Sequence, residues 1–221
     1  DVLHVTSCSS GRITRALLAD VVGHGQGAAE AAQALRALMG RSVDILDQSK
    51  LVRTLNDGFA ELQERGRFAS AIVASFFRPT EALTICNAGH PPPLHYCAAR
   101  QEWCLLKPDS ATDPQRRFSN LPLGLFGSVE YELQQMTLGE GDLVLLYTDG
   151  VIEAADEQDT QYGTERLLEL FEDYVPESID EIVPRVLSSL QLWVGTAPLD
   201  DDVTLMVLGR NELKSSLRDE A

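Results

Sequence analysis

A chain of 221 residues with 44% hydrophobic content has enough apolar material for a full-sized core, which sets it apart from disordered polypeptides. Its net charge of −16 works against a sequence-independent grip on nucleic acid or on an anionic membrane surface, both of which call for Lys and Arg. The four cysteines show no Cys-x-x-Cys spacing, so neither a zinc site nor a disulfide framework is indicated, and no apolar run approaches transmembrane length. No signal peptide is visible and the first residue is Asp rather than Met. The expectation is a cytoplasmic fragment excised from a longer protein, whose missing N-terminal portion is a sensor or another domain.

In chain order, residues 2–7 and 13–19 predict a hairpin around Ser9-Ser10-Gly11. Beyond Gly25, apolar residues at 28, 31, 32, 35, 38 and 39 have the period of one helix face, with Gly40 as its stop. A second helix is expected over about 50–64, with Leu51, Leu55, Phe59 and Leu62 on one side. Small side chains on the first helix should let the two pack closely. Residues 68–106 break into short runs (FASAIVASFF, ALTICNAG, PPLHYC, EWCLL) that suggest an antiparallel meander. Residues 107–119 are polar and without period and read as a surface loop, with Arg116 and Arg117 taken as solvated. LPLGLFG (121–127) is a rigid turn, YELQQMTL a strand, and Gly139-Glu140-Gly141 a turn into the apolar strand of DLVLLYTDG (142–150).

Two helices follow. One is expected over 163–173; the other opens with a capping box from Ser178 to Glu181, turns Ile179, Ile182, Val183, Val186 and Leu190 inward, and should bend at Pro184. Residues 202–208 form a last strand, apolar on both faces. A charged tail occupies 211–221. Strands first and last, with helices in two paired blocks, argue against a doubly wound parallel sheet. The fold class predicted is α+β: two antiparallel sheets packed as a sandwich, with helices outside, in one domain over 1–210.

Three carboxylates end apolar runs: Asp20 after RALLA, Asp149 after DLVLLYT, and the acids 200–202 before VTLMVL. Asp-Gly alone is a common turn. Three such ends, with no Lys or Arg in 16–35, 142–165 or 194–209, would repel one another unless a cation comes from solution. Oxygen-only ligands favour Mg²⁺ or Mn²⁺ over zinc or copper. A Gly-rich loop opening a helix, VVGHGQG, lacks the Walker Lys-Ser/Thr and does not read as a nucleotide site.

LADVVGHGQGAAEAA, NAGHPPPLHY, LPLGL, GDLVLLYTDGVIEA and DDVTLMVL, in that order, resemble the successive motifs of the metal-dependent protein phosphatases of the 2C type. The similarity is to their bacterial branch of sporulation stage II and sigma-factor stress regulators, and it covers roughly 1–209. It implies a two-sheet sandwich flanked by helices and a binuclear Mn²⁺ or Mg²⁺ centre. The implied activity is hydrolysis of phosphoserine or phosphothreonine by a metal-bound hydroxide. Carried over by motif, Asp20 is the bridging ligand with the Val21 carbonyl beside it, and Asp149 and Asp201 are further metal-binding acids. Asp1 stands where the family has a Gly-Gly-Asp aspartate, although the two glycines are absent. The implied substrate is a phosphorylated regulator of the anti-anti-sigma type. The two helices after Asp20 are implied as a regulatory switch and a homodimer interface. His24 is read as orienting its loop or capping the helix, and His90 as structural. The competing reading is a catalytically silent phosphatase-like binding module.

Overall fold

The computed structural model describes residues 1–62, 67–106 and 121–210, so the polar loop expected at 107–119 and the tail at 211–221 lie outside the described residues. Nine strands and five helices follow in the order β1 (Val2–Ser7), β2 (Ile13–Val21), α1 (Gln26–Arg41), α2 (Gln48–Leu62), β3 (Ala69–Phe77), β4 (Ala82–Ala88), β5 (Leu94–Cys97), β6 (Glu102–Leu105), β7 (Leu133–Thr137), β8 (Leu143–Tyr147), α3 (Asp149–Glu153), α4 (Gly163–Glu169), α5 (Ile182–Val194) and β9 (Leu205–Gly209) among the described residues. The strands make two antiparallel sheets, ordered β1-β2-β3-β4-β7 and β6-β5-β8-β9.

Strand alternation builds the layers. On β2, Ala16 and Leu18 face the second sheet and meet Ile72, Ile85, Val144 and Leu146, while Leu17, Ala19 and Val21 face the opposite way against Leu35, Met39, Leu55 and Phe59 of α1 and α2. On β8, Leu145 and Tyr147 pack instead with Val186, Leu190 and Phe171 under α4 and α5. The result is helix pair, sheet, sheet, helix group, as the alternation of elements implied. Gly58 of α2 supplies the room between the first two helices: a Cβ there would lie 2.8 Å from Leu38 Cδ2.

Three expectations are corrected. Residues 68–106 are not one meander. β3 and β4 pair in the first sheet, β5 and β6 in the second, and the chain crosses between sheets at 89–93. The final strand starts at Leu205, not at 202. It is an edge of its sheet, so Leu205–Leu208 are only half-buried rather than covered on both faces. Pro184 lies in the first turn of α5, where a missing N–H leaves no intrahelical bond unmade, so it demands no bend. At the start of the last helical block the Ser178 hydroxyl accepts from Asp180 N (3.2 Å), and the Glu181 carboxylate accepts from the Tyr174 hydroxyl (2.6 Å) and Glu177 N (3.3 Å), with the Ser178 N–H a weaker contributor.

Two buried polar side chains brace α1 and α2. Arg15, fully buried on β2, donates to the carbonyls of Val43 and Ile45 between the two helices and to Ser75 Oγ (3.2 Å). Asn56, also 0% exposed, accepts from Gly124 N and the Tyr131 hydroxyl (both 2.9 Å) and donates to the Phe126 carbonyl (2.9 Å), tying α2 to the segment 121–131. That segment in turn pairs through Leu123 with Ala69 at the start of β3. Asn56→Ala leaves the buried Tyr131 hydroxyl without this acceptor and removes the ties to the part-buried Gly124 N–H and Phe126 carbonyl. It is expected to lower the unfolding free energy by about 2–3 kcal/mol, read as a reduced urea midpoint with an unchanged m-value.

Candidate metal centre

The antiparallel registers bring one set of strand ends together. Val2 pairs with Ala19, Val21 with Ala69, Ala71 with Ala88, and Tyr147 with Leu205. Asp1 before β1, Asp20 near the end of β2, Asp149 just beyond β8 and Asp201 shortly before β9 therefore all lie at one end of the sandwich. Asp20, Val21, Asp1 and Asp201 line one cleft of about 1180 Å³, bounded on its far side by α1 and including His24 and Arg36. A neighbouring cleft of about 550 Å³ shares Asp200 and Asp201 and adds Gly150 and Glu153.

Asp149 opens α3, and its Oδ1 accepts from Gly150 N (3.1 Å). Gly150 is required by proximity: a Cβ there would lie 2.2 Å from the Asp202 carbonyl oxygen, so only glycine lets the 201–202 backbone settle beside Asp149. Thr148, fully buried between β8 and Asp149, is the joint that sequence reading missed. Its N–H donates to the Thr204 carbonyl (3.1 Å), and its hydroxyl accepts from Thr204 N (3.0 Å) and lies 3.2 Å from Asp1 Oδ2. The Thr204 hydroxyl also donates to Asp1 Oδ2 (2.5 Å). These bonds draw the Asp1 carboxylate into the site, its side chain only 10% exposed. A threonine before Asp-Gly looks like an ordinary strand residue; its partner lies 56 positions away.

Electrostatics record the convergence. Burial, then the charges of Asp149 and Asp201, hold the Asp20 carboxyl above its ordinary range, with the Asp1 ammonium opposing weakly. Glu153, at the end of α3, is raised by burial and then by Asp149, Asp201 and Asp20. Sequence reading did not single it out; its position four residues beyond Asp149 on a helix was the available signal. Of the three consecutive acids, Asp201 is the one felt at both Asp20 and Glu153. Asp202 instead faces the N-terminal ammonium at 3.9 Å.

The donor set suits hard divalent cations: carboxylates and a backbone carbonyl, on a cleft whose one lining Arg or Lys among the described residues is Arg36, on the face of α1. Among the described residues no three His, Cys, Asp or Glu side chains stand already gathered to ligation distance, so the acids are splayed around an open cleft, as mutual repulsion requires. His24 is exposed at the cleft wall, and it does not cap α1: the cap position is Gly25, with no side-chain bond. His90 is buried and hydrogen-bonded. Arg116 and Arg117 lie outside the described residues.

A two-sheet sandwich with an acidic cleft across its strand ends is the fold of the PP2C-type phosphatase domains. The RsbU and RsbW domains of Rv1364c from Mycobacterium tuberculosis superpose with a TM-score of 0.73 at 24% identity, over 93% of this chain and 54% of that one. The catalytic domain of the serine/threonine phosphatase PstP, solved with two manganese ions, gives 0.61 at 19% identity, over 93% and 89%. Residues 10–211 match the family of stage II sporulation protein E (SpoIIE), and the chain belongs to that family. Among its relatives in Bacillus subtilis (strain 168), the phosphoserine phosphatase RsbP is 27% identical over 180 residues, 79% of this chain and 40% of RsbP. The phosphoserine phosphatase RsbU is 26% identical over 194 residues, 87% of this chain and 54% of RsbU. The chain thus spans about half or less of the length of these two relatives.

Asp20→Asn removes a carboxylate held above its ordinary pKa. A raised folded-state pKa means that the metal-free fold loses stability as pH rises from the unfolded to the folded value, so the neutral amide relieves a penalty present at pH 7. The substitution is expected to raise the melting temperature of the metal-free protein near pH 7 and to do so less as pH falls. Differential scanning calorimetry at two pH values reads both effects.

Proposed function

We propose that this chain is a metal-dependent phosphoprotein phosphatase unit, hydrolysing phosphoserine or phosphothreonine on a regulatory protein. The observation that carries the reading is the convergence of Asp1, Asp20, Asp149 and Asp201 on one end of the sandwich, with Asp149 and Asp201 both acting on Asp20. Two Mn²⁺ or Mg²⁺ ions would be held by these four carboxylates and the Val21 carbonyl. When bound, such ions make a water nucleophilic near neutral pH and neutralise the phosphoryl oxygens. The chain's own part is to aim the acids from rigid strand ends and to leave a cleft wide enough for a segment of a folded phosphoprotein.

The naming of RsbP and RsbU as phosphoserine phosphatases, and the two manganese ions of PstP, support both the reaction and the cofactor. An anti-anti-sigma-type protein is the substrate proposed from the resemblance of the sequence motifs to the sigma-factor-regulator branch. As in those relatives, the unit would work within a longer chain. None of the helices described is long and apolar enough to cross a membrane.

Saturable Mn²⁺-dependent hydrolysis of p-nitrophenyl phosphate is expected, abolished in Asp149→Asn, with a phosphoserine-bearing anti-anti-sigma protein turned over under the same conditions. Folded protein that binds phosphoprotein yet hydrolyses neither compound at any Mn²⁺ concentration would replace the enzyme with a binding module.

A further inference from the structure

The crossing from the first sheet to the second, at 89–93, carries a buried imidazole. His90 is 6% exposed. Its backbone is held at both ends by one side chain: Asn87 Oδ1 accepts from His90 N and Asn87 Nδ2 donates to the His90 carbonyl, both at 2.8 Å. Gly89 makes this path possible, with φ of 73° and Pro122 Cγ 2.9 Å from where a Cβ would stand. The ring is therefore fixed by its own loop before it touches anything else.

Its two nitrogens point to different sheets. Nδ1 lies 2.7 Å from Ser70 Oγ, and Ser70 is the residue directly opposite Asp20 in the β2–β3 ladder. Nε2 has no hydrogen-bond partner of normal geometry, yet the carbonyl of Tyr147 is near enough to raise its proton affinity. Tyr147 is the last residue of β8, two before Asp149. Burial lowers the imidazole pKa to about 4, so the ring is neutral near pH 7 and carries one N–H. A proton on Nδ1 would set a bare Nε2 lone pair against the Tyr147 carbonyl. The fixed contact of the ring is therefore the hydrogen bond between Nδ1 and Ser70 Oγ, in which the hydroxyl donates when the ring proton is on Nε2.

We propose that His90 is a positioning residue of the metal centre, bridging Ser70 on the strand beside Asp20 to the end of the strand that aims Asp149. The inference rests on the metal centre proposed above. Asp20 and Asp149 belong to different sheets; the core between their strands is apolar, and at the strand ends the Thr148 and Thr204 hydroxyls reach from the second sheet to Asp1 of the first. The imidazole adds a second polar contact between the sheets, hydrogen-bonded to Ser70 beside Asp20 and lying against the Tyr147 carbonyl two residues before Asp149. It touches neither metal nor substrate, and its effect passes through the two strands. A shared binuclear site demands a carboxylate spacing fixed to fractions of an ångström, and residues that orient ligands in this way are generally worth about 10- to 100-fold in metal affinity.

The test is equilibrium Mn²⁺ binding, followed by the EPR signal of free Mn²⁺, with melting temperatures taken in parallel. Ser70→Ala, His90→Gln and His90→Ala are compared with His95→Gln, a buried imidazole beside Asp142 at the opposite end of β8. Mn²⁺ affinity is expected to fall about 10-fold or more in His90→Ala and less in His90→Gln, whose amide keeps a donor toward Tyr147. Ser70→Ala should also weaken binding, whereas His95→Gln should lose stability without losing metal. If His90→Ala does not fold, Ser70→Ala and His90→Gln decide. Folded variants at both positions that bind Mn²⁺ within about twofold of the unaltered protein overturn the bridge and leave the metal centre standing. An unaltered protein that binds no Mn²⁺ overturns both.

Discussion

Repulsion among carboxylates is the constraint around which this molecule is built. Burial and then the charges of Asp149 and Asp201 raise the Asp20 and Glu153 carboxyls, and the cleft brings little positive charge to set against them. Left to flexible loops, such acids would swing into solvent. They stay because each is continuous with backbone that has nowhere else to go. Ala16–Ala19 are buried along β2, and Val144–Tyr147 are buried along β8. The apolar layers supply the free energy that holds the charges together, so the sandwich is the device that makes the cleft and not merely its support.

The small polar side chains around the cleft have one task in common. Thr148 and Thr204 draw Asp1 inward, Gly150 admits the 201–202 backbone, and Ser70 stands opposite Asp20. Each fixes a carboxylate without adding charge. A lysine in any of these places would quench the repulsion and, with it, the attraction for a divalent cation. Hydroxyls and amides hold position and leave the field intact. Under the proposed function, such a site would hold part of the metal-binding free energy in the fold as strain between like charges, at the expense of the stability of the metal-free protein.

Periodicity made much of this legible. Apolar runs ending in Asp20 and Asp149 marked strand ends, and the spacing of 31, 35, 38 and 39 marked the buried face of α1. What the sequence did not carry is which sheet each strand joins. ALTICNAG and PPLHYC have the same alternation, and three prolines between them announce a break without giving its direction. Arg15 was equally opaque: a charged residue in a strand reads as solvent-facing, whereas here carbonyls at 43 and 45 and Ser75 receive it in the interior. Thr148 and Glu153 share that difficulty, since their roles are set by groups that only folding brings near. Local pattern reports burial; it does not report the partner.

The position of α1 and α2 follows from the same geometry and bears on control. α1 begins six residues after Asp20 and lies along the cleft, so its N-terminal half is at once a wall of the site and a layer of the fold. α2 touches no acid, yet Asn56 fixes the 121–131 segment, Leu123 of that segment pairs with Ala69, and Ala69 precedes Ser70, opposite Asp20. Both helices therefore bear on the strand ends of β2 and β3 in the first sheet, while Asp149 and Asp201 flank strands of the second. A force on the helices would act on one side of the ligand set and leave the other in place. If the metal centre proposed above is present, that asymmetry would let a force applied to α1 or α2 alter the site without entering it.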